Sequence, residues 1–400
     1  MQELFVPVAP HSRLALAGVE VFSNGSGSHH ALRKLHVRLD LLRAATAHAG
    51  GAYLYANQRG CDGGRLYFDG CAAVSLNGEI VAQGRQFALS DVEVITATVD
   101  LDSVAAKRGA FAAMRAQAAA AGGASPVARV AVDFRLCGGG GAAGGGVAGN
   151  GGAQNSRTRV DRVPSLPRAP SYHSVEEEIA LGPACWLWDY LRRSGAAGFL
   201  LPLSGGADSA AVAAIVGSMC QLAVGEAASD ERVASDVRRL YANRARVVGD
   251  ETRGGGGDAT RGTREPLPTP HQLASALLST LYLGTENSGP ATRRRAADLA
   301  SQIGASHLAF DIDAIVSAGV SIFCAVTRSA PRFAADGGCR AENLALQNIQ
   351  ARCRMVLAFL FAQLLPWATR RPNGGFLLVL GAANVDECLR GYMTKVRDFF

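Results

Sequence analysis

One short run of the sequence combines the residue types that bind phosphate. An apolar stretch, Leu200-Leu201-Pro202-Leu203, leads into Ser204-Gly205-Gly206-Ala207-Asp208-Ser209, and an apolar helical pattern covers Ala210 to Leu222. Two glycines after a strand let the backbone N–H groups turn inward, and the N-terminus of the next helix carries partial positive charge. We therefore predict a phosphate cradle. The alternative is an ordinary strand–helix turn with Ser or Asp as the N-cap.

The predicted phosphate loop contains an aspartate and differs from the Walker A loop. A Walker A loop needs the pattern G-x-x-x-x-G-K-[ST], whose lysine reaches the terminal phosphates, and this run does not match it. A carboxylate beside phosphate repels it unless a cation lies between them. Asp208 therefore implies Mg²⁺.

Two later segments carry further polar groups at a useful spacing. Asn348 and Arg352 stand four residues apart in a helical pattern, on one face, where both can reach one anionic ligand. The alternative is a solvated polar face with Met355 in the core. The segment 381–395 follows an apolar strand and would bring a second carboxylate and Lys395 to that strand's carboxyl end.

The elements that position these groups fall into two α/β regions. In the first, a helix is predicted near 30–48, and Asn77-Gly78 is the dipeptide best suited to a type I′ hairpin. The strands predicted around them are Val19–Asn24, Ala52–Asn57, Cys71–Leu76, Glu79–Gln83 and Val92–Val99. Strands with helix between them predict part of a layered α/β domain.

The second region alternates strands and long helices. A helix is predicted over Val175–Ser194, and strands over Gly198–Leu203, Leu308–Ile312 and Phe376–Leu380. This alternation favours a parallel sheet covered on both faces. Ligands of such sheets collect at the carboxyl ends of the strands, which is where the phosphate cradle stands.

Composition excludes several classes of protein. The chain has 400 residues, a net charge of 40 − 34 = +6 and 48% hydrophobic residues, so it is not wholly disordered. Gly-rich tracts predict a disordered linker over 137–170 and a disordered insertion near 250–270. Nine scattered cysteines form no C-x-x-C pair, and no run of 18 uninterrupted apolar residues occurs. We expect a soluble, cytoplasmic protein that binds neither nucleic acid nor membrane.

The motifs together resemble a known family. S-G-G-A-D-S is similar to the pyrophosphate loop of the N-type ATP pyrophosphatases. Followed by E-N-L-A-L-Q-N-I-Q-A-R-C-R-M and N-V-D-E-C-L-R-G-Y-M-T-K, it resembles the synthetase domain of eukaryotic glutamine-dependent NAD(+) synthetases. N-G-S-G-S-H-H and Y-A-N-Q-R-G-C-D-G-G-R-L-Y resemble the later part of that family's nitrilase-like glutaminase domain.

The resemblance implies a fold and a domain order. Residues 1–136 would form part of a nitrilase-like α/β sandwich, 137–170 a linker, and 171–400 an incomplete synthetase domain. That last domain would be a Rossmann-like, adenine nucleotide α-hydrolase-like parallel sheet. Family members assemble as homo-oligomers.

The resemblance also implies a reaction and its residues. ATP and Mg²⁺ activate the nicotinate carboxylate of deamido-NAD as an adenylate with release of pyrophosphate, and ammonia then forms the amide. Ser204 and Asp208 would be catalytic, and Asp208 with Glu387 would hold Mg²⁺. Residues 202–209 would bind ATP. The remaining assignments are a substrate-binding set, Asn348, Arg352, Thr394 and Lys395, and a remnant of the glutamine pocket, Ser28 and Arg33.

The sequence departs from the family at several points. Ala207 and Ala382 replace commoner Val and Ser or Thr, and Ala382 removes a possible hydroxyl contact to the nucleotide. The family's glutaminase uses a Glu-Lys-Cys triad, and Met1 aligns with its cysteine. The sequence ends soon after Thr394-Lys395. These features predict a chain truncated at both ends and at most ammonia-dependent.

Cys61 is the alternative nucleophile. It stands in a Gly-rich turn between Arg59 and Arg65, which would lower a thiol pKa, and His29-His30 offers a base. No strand–elbow–helix pattern presents Cys61, so this alternative is the weaker one. Cys71 opens an apolar strand and is predicted to lie in the core.

Two other functions stay open at this point. One is a catalytically dead relative that binds Mg-ATP or acts as a scaffold. The other is an ATP pyrophosphatase acting on another acceptor such as tRNA, which predicts a basic stripe or a cysteine pair.

Overall fold

The computed structural model describes residues 3–121, 127–132, 163–244 and 266–390. Contacts divide the chain into two compact units. Unit 1 comprises Met1–Gln58, Gly70–Arg85 and Glu93–Tyr172, and unit 2 comprises Arg59–Asp69, Gln86–Val92 and His173–Phe400. The second unit thus includes two short pieces from the first hundred residues.

Unit 1 is built on a mixed four-stranded sheet. Its strands are β1 (Val21–Ser26), β2 (Ala52–Asn57), β5 (Ala73–Leu76) and β6 (Glu79–Gln83), in the order β1-β2-β5-β6. The first pair is parallel and the other two pairs are antiparallel. The helices of this unit are α1 (Pro10–Leu16), α2 (Lys34–Ala49), α3 (Leu101–Ala110) and α4 (Ala112–Ala121).

Helix α2 packs on this sheet through one stripe. Leu35, Leu39 and Leu42 are buried with Phe22 and Tyr53 of the neighbouring strands. The spacing of three and four residues places these leucines on one helical face. The predicted helix near 30–48 is therefore confirmed, with its start moved to Lys34.

The predicted hairpin at Asn77-Gly78 is confirmed. Both residues have positive φ, 53° and 103°, as a type I′ turn requires. Thr46 of α2 fixes the turn, because its hydroxyl accepts the Gly78 N–H at 2.9 Å. Strands Ala52–Asn57 and Glu79–Gln83 have the predicted bounds.

The strand predicted over Val92–Val99 is wrong. The segment joins no ladder, and Ile95, Ala97 and Val99 pack on the cluster formed by Val74, Val81 and Ala82. Its backbone pairs instead with a later segment, since the Ser165 N–H donates to the Thr98 carbonyl at 2.8 Å. Alternating apolar residues therefore marked a packed face and not a sheet strand.

Unit 2 is built on a four-stranded parallel sheet. Its strands are β7 (Phe199–Pro202), β8 (Leu278–Gly284), β9 (Ser306–Asp311) and β10 (Leu378–Val379), in the order β10-β7-β8-β9. A separate antiparallel hairpin consists of β3 (Arg59–Cys61) and β4 (Tyr67–Asp69). The helices are α5 (Val175–Ser194), α6 (Ala207–Ala227), α7 (Glu231–Ala242), α8 (Pro270–Leu277), α9 (Pro290–Ile303), α10 (Asp313–Thr327), α11 (Arg340–Ala368) and α12 (Val385–Leu389).

This sheet is covered on both faces, as predicted. Phe199 and Leu201 of β7 lie in a core cluster with α5 and α6, whereas Leu200 lies in another with α11. Successive residues of a strand point to opposite faces, so each face has its own helix layer. Helix Val175–Ser194 has the predicted bounds and begins with a capping box between Ser174 and Glu177.

Strand β8 is absent from the sequence prediction although it lies inside the sheet. All seven of its residues are buried. Leu278 follows directly on Leu277, the last residue of α8, with no Gly or Pro between them. The apolar pattern therefore continues from helix into strand without a turn signal.

Two predicted segments fall largely outside the described residues. These are most of 137–170, of which only 163–170 is described, and most of 250–270. Within the described part, Arg168 donates its N–H to the Ile80 carbonyl of β6 at 2.8 Å.

By length and composition, α6 and α11 are each able to cross a membrane. A core helix of a soluble protein passes the same test, and α6 buries Ala213, Val216 and Met219 in the unit 2 core.

Candidate nucleotide-binding site

The phosphate-binding motif lies at the carboxyl edge of the unit 2 sheet. All four strands are parallel, so their carboxyl ends meet at this edge. The Leu203 N–H donates to the Leu281 carbonyl at 2.8 Å, which holds β7 against β8 one residue before the loop begins. Ser204 then starts the turn into α6.

The two glycines of this loop have different structural roles. Gly205 adopts φ +76°, and a Cβ built on it would lie 2.2 Å from the Thr292 backbone oxygen. Gly206 has an ordinary φ of −89° and is the N-cap of α6. The predicted strand, glycine turn and helix are confirmed, although the helix begins at Ala207 and not at Ala210.

Two serines brace the loop from inside. Ser209 is 3% exposed, and its hydroxyl accepts the Ser204 N–H at 3.2 Å and donates to the Gly206 carbonyl at 3.2 Å. The two serine hydroxyls lie 3.0 Å apart. These bonds stabilise the observed conformation of the loop.

The simple capping alternative does not hold. The N-cap of α6 is Gly206, which has no side chain, and no side chain caps this helix. The amides of its first turn therefore lack the side-chain acceptor that a Ser or Asp cap supplies. Asp208 stands exposed in this turn.

Glu387 lies beyond the neighbouring strand. It belongs to α12, which follows β10, and β10 pairs with β7. The Glu387 N–H donates to the Asn384 side chain at 2.9 Å. Within the described ranges no three His, Cys, Asp or Glu side chains are grouped closely enough to hold a metal ion. Carboxylates are nevertheless the donor type that suits Mg²⁺, since Mg²⁺ in nucleotide sites is held by one or two carboxylates together with phosphates and water.

The predicted substrate-binding residues are only partly described. Asn348 and Arg352 lie on α11, where Asn348 is half-buried and Arg352 is exposed. Met355, placed in the core by the alternative interpretation, is also half-buried. Thr394 and Lys395 lie outside the described residues.

Several polar residues at the same edge were not identified from the sequence. The Tyr282 and Thr292 hydroxyls lie 2.8 Å apart, and Arg293 forms an ion pair with Asp311 while its guanidinium lies 5.2 Å from the Tyr282 ring centre. Arg354 donates to the Leu283 carbonyl at 3.0 Å, and burial lowers the pKa of its guanidinium. Tyr282 and Leu283 lie on the unpredicted strand β8, which explains why these contacts were missed.

In unit 1 the two predicted pocket residues stand before α2. Ser28 is 1% exposed, and its hydroxyl has no hydrogen-bond partner within the described residues. Its N–H donates to the Asn57 side chain at 2.9 Å. Arg33 is exposed and has φ 63° at the start of α2. His29 and His30 also precede this helix.

The two cysteines singled out from the sequence, Cys61 and Cys71, are both buried. Cys71 is 1% exposed and belongs to the unit 1 core, as predicted. Cys61 lies in β3, where Arg193 donates to its carbonyl and approaches its Sγ at 3.9 Å. Burial of Cys61 at 4% exposure limits the access that a nucleophile needs.

Fold and sequence patterns define the class of this protein. Residues 2–108 match the carbon-nitrogen hydrolase family, and residues 268–399 match the NAD synthase family. A solved glutamine-dependent NAD(+) synthetase from Cytophaga hutchinsonii shares the fold, with a TM-score of 0.62 at 21% identity over 95% of this chain and 48% of that one. The class is thus a carbon-nitrogen hydrolase-like region joined to an NAD synthase-like region.

Relatives with higher sequence identity identify the family more narrowly. The glutamine-dependent NAD(+) synthetase of Arabidopsis thaliana is 51% identical over 98% of this chain and 49% of its own length. That of Saccharomyces cerevisiae is 50% identical over 98% of this chain and 50% of its own length. The chain belongs to the glutamine-dependent NAD(+) synthetase family. It spans about half the length of the curated relatives it matches.

Proposed function

We propose that this chain catalyses the ATP-dependent amidation of deamido-NAD to NAD, with release of AMP and pyrophosphate. The loop Ser204–Ser209 carries this proposal, since its glycine turn and side-chain-uncapped helix start suit a polyphosphate. Identity of about half of all residues to named synthetases supports it.

The chemistry has two steps. A nicotinate carboxylate oxygen attacks the α-phosphorus of ATP, and pyrophosphate leaves with the electron pair of the broken P–O bond. Ammonia then attacks the carboxyl carbon and loses a proton, and AMP leaves. The adenylate supplies the leaving group that a free carboxylate lacks.

The chain's own residues bind and orient these groups in our proposal. Amides of the first turn of α6 and the Ser204 hydroxyl hold the pyrophosphate, while Asp208 and Glu387 hold Mg²⁺. When bound, Mg²⁺ neutralises phosphate charge. Asn348 and Arg352 contact substrate from α11, and Thr394 and Lys395 approach the phosphates. Residues 171–400 would supply this synthetase domain.

The source of the ammonia involves the carbon-nitrogen hydrolase-like region. The relatives named above are glutamine-dependent. We propose that Ser28 and Arg33 belong to a glutamine pocket, and that the synthetase reaction of this chain accepts free ammonia. Supplying ammonia tests the synthetase step without requiring glutamine hydrolysis.

The first experiment measures pyrophosphate and NAD formed from Mg-ATP, deamido-NAD and ammonia. We expect Asp208→Asn to lower the rate on the order of 100-fold, because electrostatic groups at a transferring phosphate contribute at this scale. Asp298→Asn is the matched control, since Asp298 is an exposed carboxylate on α9 of the same unit.

Each alternative function gives its own result. ATP binding without pyrophosphate release would identify a dead nucleotide-binding relative. Pyrophosphate release without NAD would show that AMP is transferred to water or to an acceptor other than deamido-NAD. An Asp208→Asn rate equal to that of the parent would contradict the proposed site.

We also propose that the chain self-associates, as the family resemblance implies. Helices α10 and α11 pack together and expose large apolar side chains: Ile322, Phe323, Val326, Val356, Phe359, Leu360, Leu364 and Trp367. A face without charge can pair with its own copy about a two-fold axis. We propose a cytoplasmic location for the assembly.

The oligomer is tested by light scattering. Val326→Glu is expected to shift the assembly toward monomer, because it places a charge in the apolar face. Val94→Glu is the control, since Val94 is equally exposed, at 80% against 79%, but lies in unit 1. A parent that is already monomeric would refute self-association.

A further inference from the structure

A short polar relay stands behind the phosphate loop. It consists of Tyr282 on β8, Thr292 in the first turn of α9, and Gly289, the N-cap of α9. None of these residues belongs to the sequence motifs that indicated the site.

Thr292 is the wall against which the loop turns. Gly205 stands so close to the Thr292 carbonyl that a Cβ would approach its oxygen to 2.2 Å and its carbon to 3.0 Å. Gly205 also has positive φ, so the loop conformation and the position of Thr292 are linked. A shift of Thr292 would change the space available to Gly205.

The direction of the hydrogen bonds in the relay follows from proton counting. The Thr292 hydroxyl donates its one proton to the Gly289 carbonyl at 2.7 Å. The Tyr282 hydroxyl, 2.8 Å away, therefore donates to Thr292 Oγ1. The Thr292 N–H also reaches the Gly289 carbonyl, at 3.2 Å. Thr292 is thus held at both its backbone and its side chain.

Tyr282 anchors this relay to the sheet. It is 4% exposed, and it follows Leu281, whose carbonyl accepts the Leu203 N–H just before the loop. The Arg293 guanidinium lies over the Tyr282 ring. The ring is therefore fixed by the core on one side and by α9 on the other.

From these contacts we infer that Tyr282 and Thr292 are positioning residues for the nucleotide. Their hydrogen bonds fix the position of the Thr292 carbonyl, which limits the conformation of residues 204–206. That conformation sets the direction of the amides that would receive pyrophosphate. The inference rests on the proposed function for its ligand, and on the contacts of Gly205 for its geometry.

The test compares three substitutions. Thr292→Val keeps the shape but removes the hydroxyl, Tyr282→Phe removes the partner hydroxyl, and Thr292→Ser keeps the hydrogen bonds as the matched control. The readouts are amide hydrogen exchange of residues 204–209, the dissociation constant for ATP by calorimetry, and the KM values for ATP and deamido-NAD.

We expect Thr292→Val and Tyr282→Phe to weaken ATP binding roughly fivefold to tenfold, the scale of the one or two hydrogen bonds that each substitution removes. Amide exchange in residues 204–209 should rise, the KM for ATP should rise, and the KM for deamido-NAD should stay within twofold. Thr292→Ser should match the parent. A merely structural role would lower the thermal midpoint without this selective change.

Unchanged exchange and ATP affinity in folded Thr292→Val would overturn the inference. Should that variant fail to fold, the comparison of Tyr282→Phe with Thr292→Ser decides the same point. Should the parent bind no ATP, the proposed function falls, and exchange of residues 204–209 still decides whether the relay positions the loop.

Discussion

At the scale of single residues, the two adjacent loop glycines differ in whether their position requires glycine. Gly205 needs both a positive φ and the absence of a Cβ, because the Thr292 oxygen fills that space. Gly206 needs neither, since its φ is −89° and an added Cβ would meet only the Ser204 hydroxyl, at 3.3 Å. Position 205 therefore admits only glycine without rearrangement.

Gly205→Ala is expected to destabilise unit 2 by about 1–3 kcal/mol and to weaken ATP binding, because strain and the clash both displace the loop. Chemical unfolding and calorimetric ATP titration measure the two effects. Gly206→Ala is the matched control and should lose less than half as much stability. Equal effects of the two substitutions would show that Thr292 does not limit the loop.

At the scale of elements, helix α5 binds the hairpin strand β3 through both the backbone N–H and the carbonyl of one residue, Cys61. Asp189 accepts a hydrogen bond from the Cys61 backbone, and Arg193, one turn later, donates to the Cys61 carbonyl. Gly60 allows the close approach, since a Cβ there would lie 3.3 Å from Asp189 Oδ2. Burial raises the pKa of Asp189 to about 6. The nearby Arg192 and Arg193 lower this pKa, but the effect of burial is larger.

This carboxyl predicts a pH effect of defined sign. The folded pKa lies above the unfolded value of 3.8, so the folded state binds the proton more tightly. The contribution of Asp189 therefore favours folding at pH 4 and is lost as pH rises through 6. Two pKa units correspond to about 3 kcal/mol.

Asp189→Asn removes this titration while keeping an oxygen acceptor for the Cys61 N–H. The stability of the parent relative to Asp189→Asn should fall by roughly 2–3 kcal/mol between pH 4 and pH 7.5 in urea unfolding. Exposed Asp298→Asn serves as control. A parent-to-variant difference that is the same at both pH values would refute the assignment.

At the scale of the whole molecule, the compact units do not follow chain order. Tyr67, Phe87 and Leu89 come from the first hundred residues, yet they lie in the core cluster of Cys185 and Trp188 on α5. The Leu89 N–H also donates to Glu226 of α6 at 3.2 Å. The core of unit 2 therefore includes residues from the first hundred positions, although the chain returns to unit 1 after them.

Two buried tyrosines test this division. Tyr67→Ala should destabilise unit 2, and Tyr53→Ala should destabilise unit 1, each by about 3 kcal/mol as large aromatic truncations do. The two are matched in burial, at 6% and 4% exposure. Hydrogen exchange should rise in α5 and α6 for the first variant, and in β1 and α2 for the second. The reverse assignment of exchange would contradict the two units.

The local features could be predicted from the amino-acid sequence alone. Asn77-Gly78 predicted its turn because both positions tolerate positive φ, and Ser204-Gly205-Gly206 predicted the loop because glycines after a strand permit one. The capped and amphipathic α5 was predicted with its observed bounds. Such features depend on residues close in the chain, which is why a sequence shows them.

Which distant residues come into contact depends on the tertiary fold. The pattern of Val92–Val99 was satisfied by packing on Val74 and Val81 without strand pairing, and β8 carried no turn signal at its start. Thr292 stands against Gly205 only because β7 and β8 are adjacent and parallel. Contacts of this kind depend on strand order and register, which local propensity and periodicity do not specify.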